Sequence, residues 1–210
     1  MFCKPCIAAF ALLAALPFVA ATNTAPQSPA PAASSAPSNA TTWKIDDVHS
    51  MAMFRVQHFG AGMFWGRFDN VSGSITTSGE GPDSVSFDIA IDPATVSSGN
   101  EKLNGHLMSP DFFSVKEFPT MTFKSTKAEK GSDGMWTVTG DMTMHGVTKS
   151  IVAKVECTGR AKMGPGERIG FEAMFNLDRS EFGMTYGIDK GAIGKSVRVI
   201  VGMEATTGGK

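Results

Sequence analysis

The segment TVTGDMTMHGVTKSIVAKV, from Thr137 to Val155, constrains the fold more than any other part of the chain. Its residues alternate with a period of two, which is the repeat of a β-strand with one buried face. The apolar face carries Trp136, Val138, Gly140, Met142 and Met144. A His-Gly pair follows and the return strand repeats the alternation, so the segment predicts an antiparallel hairpin with a tight turn. That face mixes large with small residues and is compatible with a solid core or with a cavity.

Period-two alternation recurs along the rest of the chain and predicts an all-β domain. The alternating segments include Phe54, Phe64, Ile89, Ala173 and Val199, and Gly, Asn, Asp or Pro residues stand between them. Short strands at close spacing with few helices are typical of an antiparallel sandwich or barrel. No βαβ unit is indicated.

One interval, SGNEKLNGHLMSPDFFSV, breaks the alternation. Leu103, Leu107 and Met108 stand at helical spacing, and Asn100 precedes them as a candidate N-cap. Pro110 suits the first turn of a second helix. We therefore expect one or two short helices between the strands.

The first residues predict export. Lys4 provides a short positive start, residues 7–19 form an apolar run, and small residues lead to an expected cleavage site after Ala21. The run is shorter than the about 20 residues that cross a bilayer, so we interpret residues 1–21 as a secretory signal peptide. We expect a periplasmic or secreted protein, and a retained membrane anchor is the alternative.

The segment after the signal peptide predicts a flexible linker. Residues 22–40 are rich in Ala, Pro, Ser and Thr and carry no charge, so we expect the folded domain over residues 41–207. Cleavage removes two of the three cysteines and leaves Cys157 without a disulfide partner. It also removes Lys4, which takes the formal net charge from −1 to −2. No basic cluster indicates binding to nucleic acid.

No group of residues carries an enzyme signature or a metal motif. The histidines at positions 49, 58, 106 and 145 lack metal-ligand spacing, and the methionines are dispersed. The sequence shows no nucleophile elbow, no glycine-rich phosphate loop and no clear carboxylate pair. Cys157 is expected to be a buried, unreactive thiol. Haem ligation by His58 or by a methionine stays open as an alternative.

The residues predicted to face inward favour a cavity over a filled core. Aromatic residues dominate that face, but it also carries Ala52, Gly66, Gly140, Ala153 and Ala173. An eight-stranded barrel is close to the size at which the interior is either filled by side chains or holds one small ligand. Small inward residues leave space, so the alternation predicts an apolar cavity.

Three separated stretches resemble the YceI family. They are IDDVHSMAMFRVQH from Ile45 to His58, VTGDMTMHGVTKSI from Val138 to Ile151, and NLDRSEFGM from Asn176 to Met184. The resemblance extends from about Trp43 to Ala205. It implies an eight-stranded, lipocalin-like antiparallel barrel with a helical segment over part of it. It also implies an exported protein that holds an isoprenoid chain in an apolar tunnel.

The resemblance further implies which residues contact the lipid. The candidates for the tunnel wall are Phe54, Val56, Phe64, Phe68, Phe87, Phe123, Val138, Met142, Phe171 and Phe175. His58 falls on the inward face and joins them. Arg179, in the matched DRSEFG, is a candidate cation at the tunnel mouth or at a strand corner, where an ion pair with a neighbouring carboxylate is the alternative role.

The chain departs from the family where the family often has Arg-Asp and a later Arg. Leu103, Asn104 and Met108 stand there instead. Lost cations weaken binding of an anionic head group, so we hypothesise a neutral isoprenoid such as a quinone, or another apolar lipid. The expected function is that of a carrier or buffer without catalysis and without a cofactor beyond its lipid. Transient membrane contact and homodimerisation are compatible with it.

Two alternatives to the carrier interpretation remain. An enzyme acting on the bound isoprenoid would need a polar group deep in the tunnel, for which His58 and Ser125 are the candidates. A haem protein or electron-transfer accessory protein is the other alternative.

Overall fold

The computed structural model describes residues 40–78, 84–163 and 166–208. The predicted signal peptide and the predicted linker up to residue 39 lie outside these ranges. Within them, no helix has the length and apolar character needed to cross a lipid bilayer.

The described residues form eleven strands and one α-helix. The elements are β1 Ala40–Ile45, β2 Met51–His58, β3 Gly62–Phe68, β4 Val71–Ser78, β5 Ser84–Ile91, β6 Val96–Ser97, α1 Glu101–Leu107, β7 Met121–Lys130, β8 Trp136–Met144, β9 Val147–Met163, β10 Gly166–Asp178 and β11 Ile193–Thr206. Short 3₁₀ turns cover Pro93–Thr95 and Arg179–Phe182. The Asn100 side chain caps α1 by accepting a hydrogen bond from the Leu103 amide, as predicted. Turns rather than a second helix follow Pro110.

The strands close into an eight-stranded antiparallel barrel. Three strands are bent, so that β1 continues as β2, β3 as β4, and β5 as β6 along one path each. The first bent strand pairs with the second through β1–β4 and β2–β3, and the second pairs with the third through β4–β5 and β3–β6. Strands β7 to β11 follow in order, and β11 pairs back to both β1 and β2. The predicted fold class is confirmed.

The segment from Thr137 to Val155 forms the predicted hairpin, β8–β9, around a tight turn. Met144 pairs with Val147, so His145 and Gly146 form a two-residue turn with φ of 51° and 73°. Two positive φ angles characterise the turn that best matches the twist of a hairpin. A Cβ on Gly146 would stand 2.6 Å from the Phe118 ring, so glycine is required there for space as well.

One end of the barrel is solidly packed. Its largest fully buried side chains are Trp43, Trp136, Phe171, Ile75 and Ile169. The indole Nε1 of Trp43 donates a hydrogen bond to Thr77 Oγ1 at 2.9 Å, which satisfies a polar atom in an apolar environment. Burying a side chain of this size contributes about 1.5–3 kcal/mol, so this end supplies a ligand-independent core.

Candidate functional site

The other end of the barrel, beneath α1, is hollow. A cavity of about 440 Å³ lies between the inward faces of the strands and the segment from Leu103 to Phe113. Small-molecule sites commonly enclose about 300–1,000 Å³, so the space suits a ligand. The apolar face of the β8–β9 hairpin therefore contacts both a solid core and a cavity. Trp136 and Val138 lie in the solid core, whereas Met142 and Met144 border the cavity.

The cavity wall is almost entirely apolar. Only five of the side chains around it are polar or charged, namely His58, His106, Thr122, Arg179 and Tyr186. A wall of Phe, Leu, Ile, Val, Met and Ala excludes water and offers few partners to a polar ligand. The site is therefore suited to an uncharged hydrocarbon.

Ten of the twelve predicted site residues border this cavity. They are Phe54, Val56, His58, Phe64, Phe68, Phe87, Phe123, Met142, Phe175 and Arg179. That any of them contacts a ligand stays a prediction. Val138 and Phe171 do not border the cavity, because both lie fully buried in the packed end. Alternation identifies the inward face of a strand but not the height of a residue along the barrel axis, which is why the prediction included these two residues.

The small inward residues have two different roles. Ala52, Ala153 and Ala173 border the cavity, as the prediction requires. Gly66 and Gly140 leave no open space, since a Cβ on Gly66 would stand 2.4 Å from the Phe54 ring and one on Gly140 would stand 2.5 Å from the Phe123 ring. The two glycines instead allow these rings to pack closely against the backbone of the neighbouring strand.

Arg179 is a strand-corner cation that stabilises the loop before β11. Its guanidinium donates hydrogen bonds to the carbonyl oxygens of Met184, Tyr186, Ile193 and Gly194 at 2.8–3.1 Å. No carboxylate forms an ion pair with it among the described residues. Burial lowers the pKa of Arg179, but a guanidinium remains a cation. With four of its N–H groups engaged, it has little capacity left for a ligand head group.

The cavity rim contains aromatic residues that the sequence did not single out. The rings of His106, Phe112 and Tyr186 contact one another with centroids 5.0–5.3 Å apart. Phe113 packs edge-on against Phe54 and Phe68 and closes the wall beneath α1. The PDFF sequence in the non-alternating interval was a signal that could have identified these two phenylalanines. Tyr186 carried no such signal.

The two positions where the family often has cations, Leu103 and Met108, also have apolar surroundings in the structure. Leu103 borders the cavity, and Met108 packs against the hydrophobic core. Asn104 accepts hydrogen bonds from Ser98 through its side-chain oxygen and so braces the start of α1. Arg179 is the one arginine or lysine among the residues that border the cavity.

The two residues considered for catalysis occupy different settings. His58 borders the cavity but is exposed at the rim, where its ring lies 4.4 Å from that of Phe59. Ser125 does not border the cavity, and its hydroxyl accepts a hydrogen bond from the Phe87 amide at 2.8 Å. Ser125 therefore bridges β5 and β7, next to an irregularity in the pairing of β7 with β8. Cys157 is half-buried against the core, and its thiol is free.

A charged cluster outside the cavity was missed by the sequence analysis. Ligand atoms of Asp46, His49 and Glu204 lie within 4.8 Å of one another, although only Asp46 and His49 are close in sequence. Arg168 forms ion pairs with the carboxylates of Asp46 and Glu204 and takes the place that a metal ion would occupy. Hydrogen bonds from His49 and Arg168 lower the pKa of Asp46 to about 2. The cluster holds β1 to β11 where the barrel closes.

Comparison with known proteins identifies the family. The sequence profile of the YceI-like domain matches residues 43–205. A UPF0312 protein of Yersinia enterocolitica is 32% identical over 168 residues, which cover 79% of this chain and 86% of that protein.

Two solved structures are similar as well. A YceI protein of Campylobacter jejuni has a TM-score of 0.62 at 30% identity and covers 69% of this chain and 85% of its own. A polyisoprenoid-binding domain from Saccharophagus degradans, implicated in plant cell wall breakdown, has a TM-score of 0.58 at 17% identity. That similarity covers 78% of this chain and 97% of the domain. The chain belongs to the YceI family.

Proposed function

We propose that this protein is an exported carrier or buffer that binds an isoprenoid lipid in the barrel cavity without catalysis. The observation that carries the proposal is the cavity of about 440 Å³ with an almost wholly apolar wall. The similarity to a domain that is named for polyisoprenoid binding supports the choice of lipid. Export rests on the sequence of residues 1–21.

The energetics favour exchange over permanent capture. Burying a long isoprenoid chain at about 0.8 kcal/mol per CH₂ exceeds in gross terms the practical affinity limit of roughly 18–21 kcal/mol. Ordering of the chain and incomplete burial remove much of that gain. In addition, the lipid would otherwise reside in a membrane, which is equally apolar. The net preference for the protein therefore depends on fit, which allows loading and unloading by transient contact with a membrane.

The head group is proposed to be neutral, as in an isoprenoid quinone. An anionic pyrophosphate would need unengaged cations at the cavity. Leu103 borders the cavity where a family cation is often present, and Arg179 is engaged with four carbonyl oxygens. His58, exposed at the rim, is a polar side chain that could reach a quinone oxygen.

The test is native mass spectrometry of the purified protein, followed by organic extraction and binding of ubiquinone and of a polyprenyl pyrophosphate. We expect about one isoprenoid per chain and preference for the quinone. Ala153→Phe should abolish binding, because Ala153 borders the cavity, whereas its outward neighbour Val152→Phe should leave binding intact. Equal binding by both variants contradicts the cavity site, and preference for the pyrophosphate contradicts the neutral head group.

The alternatives have separate readouts in the same samples. A Soret band would identify haem, and a chemically altered extracted lipid would identify an enzyme acting on it. A concentration-dependent mass would reveal the homodimer that the carrier interpretation allows.

A further inference from the structure

We infer that the tip and outer face of the β2–β3 hairpin form a docking surface for an anionic lipid bilayer. This inference rests on the proposed lipid-carrier function, because it specifies how the cavity rim meets a membrane. We define the docking surface by Phe59, Met63 and Trp65, which are apolar, and by Arg55 and Arg198, which are cationic.

The hairpin tip exposes an unusual amount of apolar surface. Phe59 is 69% exposed, Met63 51% and Trp65 45%, and no charged residue occurs between Arg55 and Arg67. Met63 and Trp65 are two residues apart on β3, so their side chains share its outward face. Large exposed apolar residues grouped in this way indicate a surface that contacts a partner or a membrane.

The backbone holds Phe59 in its exposed position. Phe59 has a φ of 50°, which is uncommon for a residue other than glycine. Its amide donates a hydrogen bond to Ala192 O at 2.7 Å, which connects the hairpin tip to the loop before β11. The Phe59 side chain also borders the cavity. The docking surface is thus continuous with the rim through which a lipid would pass.

Two arginines without acidic partners lie beside the apolar residues. Arg55 on β2 pairs directly with Arg198 on β11, which places two like charges opposite each other on the outer face. Neither forms an ion pair within residues 40–78, 84–163 and 166–208, and Arg55 Nε is buried without a hydrogen-bond partner. Like charges opposite each other destabilise a sheet, and an anionic surface would offset this repulsion.

Trp65 connects the two parts of the surface. It pairs with Arg55 across the strands, and the Arg55 guanidinium lies 5.7 Å from the centroid of its ring. Tryptophan is enriched at the level of lipid head groups, and basic residues next to apolar ones favour anionic bilayers. Charge complementarity therefore favours an anionic bilayer over a neutral membrane or an apolar face of a protein.

The experiment measures binding of the full-length purified protein to sedimented vesicles. One set contains equal parts of phosphatidylcholine and phosphatidylglycerol, and the other contains phosphatidylcholine alone. We expect preference for the anionic vesicles and loss of that preference at high salt. Brominated lipids should quench tryptophan fluorescence, and the signal should disappear in Trp65→Phe, because Trp43 and Trp136 are fully buried.

Variants separate the two components of the surface. Arg55→Gln and Arg198→Gln should each weaken binding about fivefold, which corresponds to about 1 kcal/mol per cation near an anionic surface. Met63→Ser should weaken binding to both kinds of vesicle. Matched controls are Val48→Ser, an exposed apolar residue that precedes β2 at the end opposite the hairpin tip, and the double variant Lys44→Gln with Lys149→Gln. Controls that lose binding equally would overturn the proposal.

Ubiquinone uptake by each variant distinguishes this inference from the proposed function. Met63, Arg55 and Arg198 do not border the cavity, so uptake from detergent should be unchanged. Uptake without vesicle binding by the wild-type protein would refute the docking surface and leave the carrier standing. Vesicle binding without uptake would refute the carrier. Self-association that Met63→Ser abolishes, without vesicle binding, would assign the surface to a second copy of the chain instead.

Discussion

Replacing Arg179 by methionine should unfold the rim of the barrel before the rest of it. The substitution keeps an unbranched apolar stem but removes four hydrogen bonds to the carbonyl oxygens of residues 184, 186, 193 and 194. A hydrogen bond to a charged group contributes about 1.5–3 kcal/mol, but the half-exposed loop lets water replace part of the loss. We therefore expect a loss of about 3–5 kcal/mol in the free energy of unfolding, which is less than the sum of four such hydrogen bonds.

Urea denaturation and hydrogen exchange test this prediction together. Amides of residues 184–194 should exchange faster in Arg179→Met, whereas those of β8 should be less affected under native conditions. Arg198→Met is the matched control, since the one side-chain hydrogen bond of Arg198 is to Met174 Sδ at 3.6 Å. It should lower the free energy of unfolding by less than about 1 kcal/mol. A similar loss in both variants, or an unchanged loop in Arg179→Met, would refute the role assigned to Arg179.

Four further predictions concern single positions. Gly140→Ala should lower the free energy of unfolding by about 1–3 kcal/mol, because its Cβ would meet the Lys124 carbonyl oxygen at 2.5 Å. Gly66→Ala should lower it less and reduce ligand binding instead, since the three atoms nearest its Cβ all belong to the Phe54 ring, which can move into the cavity; equal losses in urea denaturation would contradict this contrast. Gly146→Ala should destabilise the hairpin by at least about 1 kcal/mol because of its φ of 73°, and an unchanged melting temperature would be inconsistent with that turn. Asp46→Asn should alter acid stability. The pKa of Asp46 is about 2 in the folded protein against 3.8 normally, so its stabilising contribution is present above 3.8 and is lost as the pH falls toward 2. The difference in stability from wild type should shrink over that range, and a constant difference would argue against it.

The barrel and its inward faces could be predicted from the sequence because alternation is a local property. In the β8–β9 hairpin, Trp136, Val138, Met142 and Met144 are all buried, and Thr137 and Thr139 lie on the opposite face. The His-Gly turn is local as well, which is why the register of β8 and β9 follows from it. The helix α1 could be predicted from the helical spacing of its apolar residues and from the Asn100 cap.

The division into a packed and a hollow half could not be predicted in this way. Val138 and Met142 look equivalent in the sequence, yet only Met142 borders the cavity, because their heights in the barrel depend on strand tilt and on partners distant in the chain. Whether the space beside a glycine is filled by another side chain also depends on distant residues, as the Phe54 ring over Gly66 shows. Likewise, Asp46 and Arg168 meet only through barrel closure.

The division of the barrel separates the residues that specify folding from those that can diverge. The packed end, with Trp43, Trp136 and Phe171, has its full set of contacts whether or not the cavity is filled. Substitutions such as Ala153 or Ala173 to larger residues would reshape the hollow end without disturbing that packed core. One scaffold can therefore acquire new ligand preferences by single mutations at the rim and wall, while the selection for foldability acts on the opposite end of the same strands.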